Sequence, residues 1–153
     1  MRALTTALML GCAGAGVRDA IGESRDVTGG PEADRYVYVA RRPMAAVALA
    51  EARGLGDDDV RRVVDHLADA LDACVRDQAR RGTPASGAAR VVADVDDGGL
   101  IGSPRVTVSP GPGAQAGALL CVVAPLRMSS FLPRSGDAGA TRGLALEANW
   151  GGT

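Results

Sequence analysis

Between Asp57 and Arg81 the apolar residues fall at steps of three and four: Val60, Val63, Val64, Leu67, Leu71, Cys74 and Val75. That spacing draws one stripe along an amphipathic helix. Asp57 serves as its N-cap in this reading, with Asp58 and Asp59 at the positive end of the dipole and Arg76, Arg80 and Arg81 at the negative end. From Gly87 the period drops to two. Ala89, Val91, Ala93 and Val95 share one face, and Asp96-Asp97-Gly98-Gly99 is turn chemistry. A second strand follows over residues 101–109, and Pro104 within it predicts a bulge or an edge position. A second helix is predicted from Ala114 to Met128 through Ala118, Leu119, Cys121, Val122 and Leu126, with Pro125 kinking or interrupting it at a cost of about 3 kcal/mol unless the chain adapts. Residues 141–150, TRGLALEANW, alternate again and predict a last strand.

The amino end reads differently. RYVYVAR, residues 35–41, alternates and predicts a short strand, and Pro43 opens a predicted helix that runs through MAAVALAEAR to Arg53, with Gly54 and Gly56 after it. Upstream, Arg2 precedes an apolar run from Ala3 to Leu10, a short signal peptide. Met9-Leu10-Gly11-Cys12 resembles a bacterial lipobox, which makes Cys12 a candidate for lipidation. The competing reading is a cytosolic start followed by a frayed apolar end. Residues 12–34 are rich in Gly, Ser, Asp and Pro and read as a flexible tether, whose roughly 20 residues reach about 25 Å on average.

The expected organisation is therefore a signal peptide (1–11), a tether (12–34), a strand-helix extension (35–56) and one α+β domain (57–150). The domain is two-layered, in the order helix, strand, strand, helix, strand. Its mainly antiparallel sheet has three or four strands, and its helices pack on one face.

Composition narrows the functions. The chain has 153 residues and a net charge of -1, so it has no global field for nucleic acid. Aromatics are only 3%, which leaves a core of Val, Leu and Ala that a covalent staple would help. Cys74 and Cys121 lie on the buried stripes of two helices that flank a hairpin. In an exported protein they read as a structural disulfide, and the competing reading is two buried free thiols. With Cys12 acylated, the odd cysteine is accounted for.

The residues then point to a family. Residues 57–149 resemble the TonB carboxy-terminal domain family, in the version that ends myxobacterial AgmX-type gliding-motility proteins. The likeness rests on VRRVVDHLADALDACVRDQ, on GAARVVADVDDGGLI, on Cys121 in the second helix, and on Phe131 and Arg127 at the positions of an R-x-W-x-F-P ending. Ser129, Leu132 and Pro125 depart from that pattern. The resemblance implies a two-layer module working in the periplasm that binds partner peptides, in some members by strand addition at a sheet edge.

Chemistry is sparse. His66, the only histidine, lies on a helix flank, and Asp65, Asp69 and Asp72 read as surface acids paired with Arg. Asp94, Asp96 and Asp97 lack the closing acid of a calcium loop, because Arg105 stands in its place. No catalytic or metal site is assigned, and no cofactor is expected. The candidate binding feature is the final strand at a sheet edge, presenting Leu144, Leu146 and Trp150, with Trp150 as an interface anchor or, equally, a core plug. The expected function is a non-catalytic periplasmic interaction module, tethered to a membrane through Cys12 and binding an envelope protein or peptide. The alternatives are a structural or accessory lipoprotein without a peptide site and, remotely, a hydrolase-type enzyme. A cytoplasmic location is the alternative to the periplasm.

Overall fold

The structure, a computed structural model, describes residues 35–83, 86–109, 113–132 and 141–151. The signal peptide, Cys12 and the tether lie outside the described residues. The elements in order are β1 (Tyr38–Arg42), β2 (Ala45–Arg53), α1 (Asp57–Arg80), β3 (Gly87–Val95), β4 (Arg105–Val108), α2 (Ala114–Gly117), a π-helical stretch (Ala118–Val123), α3 (Ala124–Met128) and β5 (Arg142–Trp150). The fold is α+β, as expected, with one sheet of five strands in the order β1-β2-β5-β3-β4, every pairing antiparallel.

The amphipathic stripe of α1 faces the sheet: Val60, Val63, Val64, Leu67, Leu71 and Val75 are all buried. Gly56, not Asp57, is its N-cap, and Asp57, Asp58 and Asp59 occupy the first turn. α1 packs over β1 and β2, while the second helix, α2 through α3, packs over β3. The sheet contributes Ala45, Val47 and Leu49 of β2, Ala89, Val91 and Val95 of β3, and the even-numbered positions of β5 from Leu144 to Trp150 to the same core.

Pro125 does not break the second helix. Ahead of it the chain widens into π-helical turns, in which the Ala124 amide reaches back five residues to the Leu119 carbonyl. The wider turn makes room for a ring that has no N–H and would crowd the carbonyl four residues back.

Two expectations are corrected. Residues 43–53 are not a helix: Pro43 and Met44 form the connection of a hairpin, and Ala45–Arg53 is strand β2. The run is apolar on nearly every side, so its periodicity does not separate helix from buried strand. It lies between β1 and β5, where Ala45 to Leu49 are all buried. The second correction follows from the first. With β2 available to pair, β5 lies in the middle of the sheet, hydrogen-bonded to β2 on one side and β3 on the other. The final strand has no free edge.

Candidate partner-binding edge

Leu144, Leu146 and Trp150 are 2%, 1% and 3% exposed, so none of them faces a partner. Trp150 is a core plug. Its indole packs so closely that a Cβ on Gly117 would lie 2.8 Å from the indole nitrogen, and one on Gly87 would lie 3.0 Å from Cζ2. The indole N–H has no acceptor among the described residues.

Cys74 and Cys121 are joined, with Cα atoms 5.6 Å apart. The bond ties α1 to the π-helical stretch of the second helix. Cys121 is fully buried, Cys74 is half-buried, and the Gln78 amide donates to Cys121 Sγ at 3.4 Å. The helix layer is thus cross-linked above the sheet.

The open sheet edges are β1 and β4. Each pairs with one neighbour only among the described residues. The two edges differ in how far they are finished. The helix-side groups of β1 are already occupied. The Tyr38 hydroxyl donates to Asp65 at 2.8 Å, Arg42 bridges Asp65 and Asp69, and Arg61 lies over the Tyr38 ring. Arg42 and Asp65 also hold the strand near the middle of α1. Asp72, only 3% exposed, accepts the Met44 amide at 2.8 Å and pairs with Arg76, fixing the hairpin connection to α1. Asp72 is therefore an anchor and not a surface acid.

β4 ends in an incomplete apolar row. Val106 and Val108 lie on the helix side, half-buried against the core, while Arg105 and Thr107 are exposed on the other face. Its pairing with β3 also fixes the direction of its backbone. The Ser109 amide donates to the Ala88 carbonyl at 2.8 Å. Antiparallel pairs alternate between bonded and non-bonded, so Arg105 and Thr107 turn their amides and carbonyls to β3. Those of Val106 and Val108 point away from the sheet. Pro104 precedes the strand, and the β3–β4 register shifts by one residue between Val92↔Arg105 and Val95↔Ile101. The proline thus marks both a bulge and an edge.

The turn before that shift is built by Asp96, whose carboxylate accepts the Leu100 amide at 2.8 Å, and by Gly99, with φ +83. A Cβ at Gly99 would fall 1.9 Å from the Phe131 carbonyl oxygen, so the segment after α3 runs tight against this turn.

A second surface is apolar. Leu119, Leu120 and Met128 of the second helix are 50%, 63% and 87% exposed. From Ala114 to Met128 the only charged residue is Arg127. The outer side of this helix is therefore much less polar than that of α1, which carries Asp58, Arg61, Arg62, His66 and Asp69 on exposed positions.

A cleft of about 320 Å³ opens between the helices, lined by Arg62, Val63, His66, Met128, Ser129 and Ser130. His66 is exposed there, and both core sulfurs are spent in the cystine, so among the described residues no thiol nucleophile faces it. Among the described residues no group of His, Cys, Asp or Glu is placed to hold a metal ion, and no helix is long and apolar enough to cross a membrane.

Sequence patterning pointed to the correct cystine but the wrong edge. Pro104 beside a short alternating strand was the signal for β4. Asp72 and the unfinished valine row carried no signal short of the pairing itself. No family model, curated protein or solved structure matches the chain.

Proposed function

We propose that this protein is a non-catalytic interaction module of the periplasm, held at a membrane by a lipidated Cys12, whose β4 edge takes up an extended segment of an envelope protein. The observation that carries the reading is the unfinished row at β4. The outward backbone groups of Val106 and Val108 match the hydrogen-bonding needs of an added strand, and their half-buried side chains extend the core toward it. The cystine supports an oxidising compartment. The lipobox-like Leu10-Gly11-Cys12 and the resemblance to TonB carboxy-terminal domains support an envelope setting.

The test uses proline as a backbone probe. Val106→Pro or Val108→Pro deletes an outward amide and no ladder bond, so each variant keeps the wild-type unfolding midpoint to within a few degrees. Either one lowers capture of peptides from an array of envelope-protein segments by about tenfold, the equivalent of about 1.4 kcal/mol. Thr107→Pro, which deletes an inward amide, destabilises the fold instead. Equal capture by wild type and by both valine variants removes strand addition and leaves the accessory-lipoprotein reading.

A further inference from the structure

Resting on the strand-accepting role of β4, we infer that a second copy of this chain is a partner of that edge: two β4 strands pair antiparallel about a two-fold axis at Thr107, joining two sheets into one. The β4 sequence suits this pairing. About that axis Val106 lies opposite the partner copy's Val108, and Val108 opposite its Val106. These are the residues whose amides and carbonyls point outward, so the two pairs exchange four hydrogen bonds. Thr107 faces its own symmetry mate on the opposite side of the sheet, a favourable cross-strand pair. Arg105 falls opposite Ser109, so the register never sets Arg105 against its own copy. Pro104, at the next outward position, has no amide to leave unpaired beyond the seam.

The helix layer favours the same occupant. α1 lies over β1 and β2 and the second helix over β3, so the flank of the second helix turned from α1 is on the β4 side. Across the seam the two β3 strands are three spacings apart, roughly 14 Å at about 4.8 Å each. Two second helices then flank a floor of four half-covered valines, and each of these helices carries the exposed Leu119 and Leu120. One symmetric partner thus pairs the bare edge and brings together two helices whose outer sides are mostly apolar, with Arg127 the one charged residue on each. A foreign extended peptide would use only the edge. The four-residue strand makes a small contact, so the pairing is reversible and depends on protein concentration.

Cysteine cross-linking of the purified full chain tests the register. In a Cys12→Ser background the only free thiol is the one introduced. Thr107→Cys forms a disulfide-linked dimer under air, seen on non-reducing gels, because residue 107 meets itself. Arg105→Cys alone does not, since its copy lies four residues away, roughly 13 Å along the strand. Mixed Arg105→Cys and Ser109→Cys chains do cross-link. Adding Val106→Pro to Thr107→Cys abolishes the cross-link while the unfolding midpoint stays put. A Thr107→Cys chain that remains monomeric overturns the inference, as does Arg105→Cys linking as fast as Thr107→Cys. Monomeric Thr107→Cys chains that still capture envelope peptides show that the edge serves foreign strands alone; this overturns the self-pairing and leaves the proposed function standing. Specific cross-linking with no peptide captured supports the self-pairing and counts against the foreign partner.

Discussion

Arg142 shows what a single side chain does here. It stands at the head of β5 on the core-facing row, two residues before Leu144, and is only 6% exposed. Its guanidinium donates to three carbonyl oxygens: Gly54 at 3.2 Å, Asp96 at 3.0 Å and Leu132 at 3.2 Å. These belong to the β2–α1 link, the β3–β4 turn and the segment after α3. One cation thus gathers three chain reversals around the end of the central strand. Arg142→Met keeps much of the aliphatic bulk and deletes all three bonds. The expected cost is about 2–4 kcal/mol, because three hydrogen bonds from a buried charged donor are lost together. Denaturant unfolding measures it, and a loss below about 1 kcal/mol would show that water replaces the guanidinium freely. The alternation of residues 141–150 already put position 142 on the buried face, but nothing local announced an Arg there as a clamp. Its three acceptors come from loops up to 88 residues away.

Between elements, the β1–β2 hairpin is held to α1 by ionic contacts that titrate. Arg42 beside Asp69 holds that carboxyl below its usual 3.8, and the guanidinium is itself pushed up by the same bond. The Tyr38 phenol is raised above 10.0, first by its hydrogen bond to Asp65, then by burial and by the Asp65 charge. The signs set two limits. Asp69 is depressed in the fold, so its contribution is complete above pH 3.8 and is lost as pH falls through the lower folded value. Tyr38 is raised, so its contribution is complete below pH 10.0 and is lost as pH climbs through the higher folded value. Asp69→Asn is expected to cost about 0.2–1 kcal/mol at neutral pH, since the pair is solvent-exposed. The gap from wild type closes at pH values below the folded pKa of Asp69. Unfolding measured across pH 2–11 checks both limbs, and a gap that stays constant into acid would rule out the ion pair as its cause. At this scale the sequence was partly misleading. Pro43 followed by an Ala-rich run suits the start of a helix as well as a hairpin, and only the strands on either side settle it.

Across the whole molecule the cystine is the main restraint. It closes a span of 47 residues that contains β3, β4 and the start of the second helix. By the chain-entropy model, reduction costs roughly 4 kcal/mol. Unfolding with and without reductant, compared with Cys74→Ser/Cys121→Ser, measures it, and a loss under about 1 kcal/mol would mean that the helix layer holds without the bond. Patterning along the chain favoured this staple over two buried free thiols, because each sulfur lies on a helical stripe whose direction is set by local periodicity, and the structure joins them. Patterning also predicted α1, β3 with its Asp96–Gly99 turn, and the α+β class. The order of strands in the sheet was beyond it. Whether β5 lies at the rim or in the middle depends on a hairpin drawn from residues far upstream, and an apolar run such as Ala45–Leu49 satisfies a buried strand and a buried helix equally. Periodicity tells which face of an element is buried, but only tertiary pairing determines which backbone edges stay bare, and among the described residues those edges are β1 and β4.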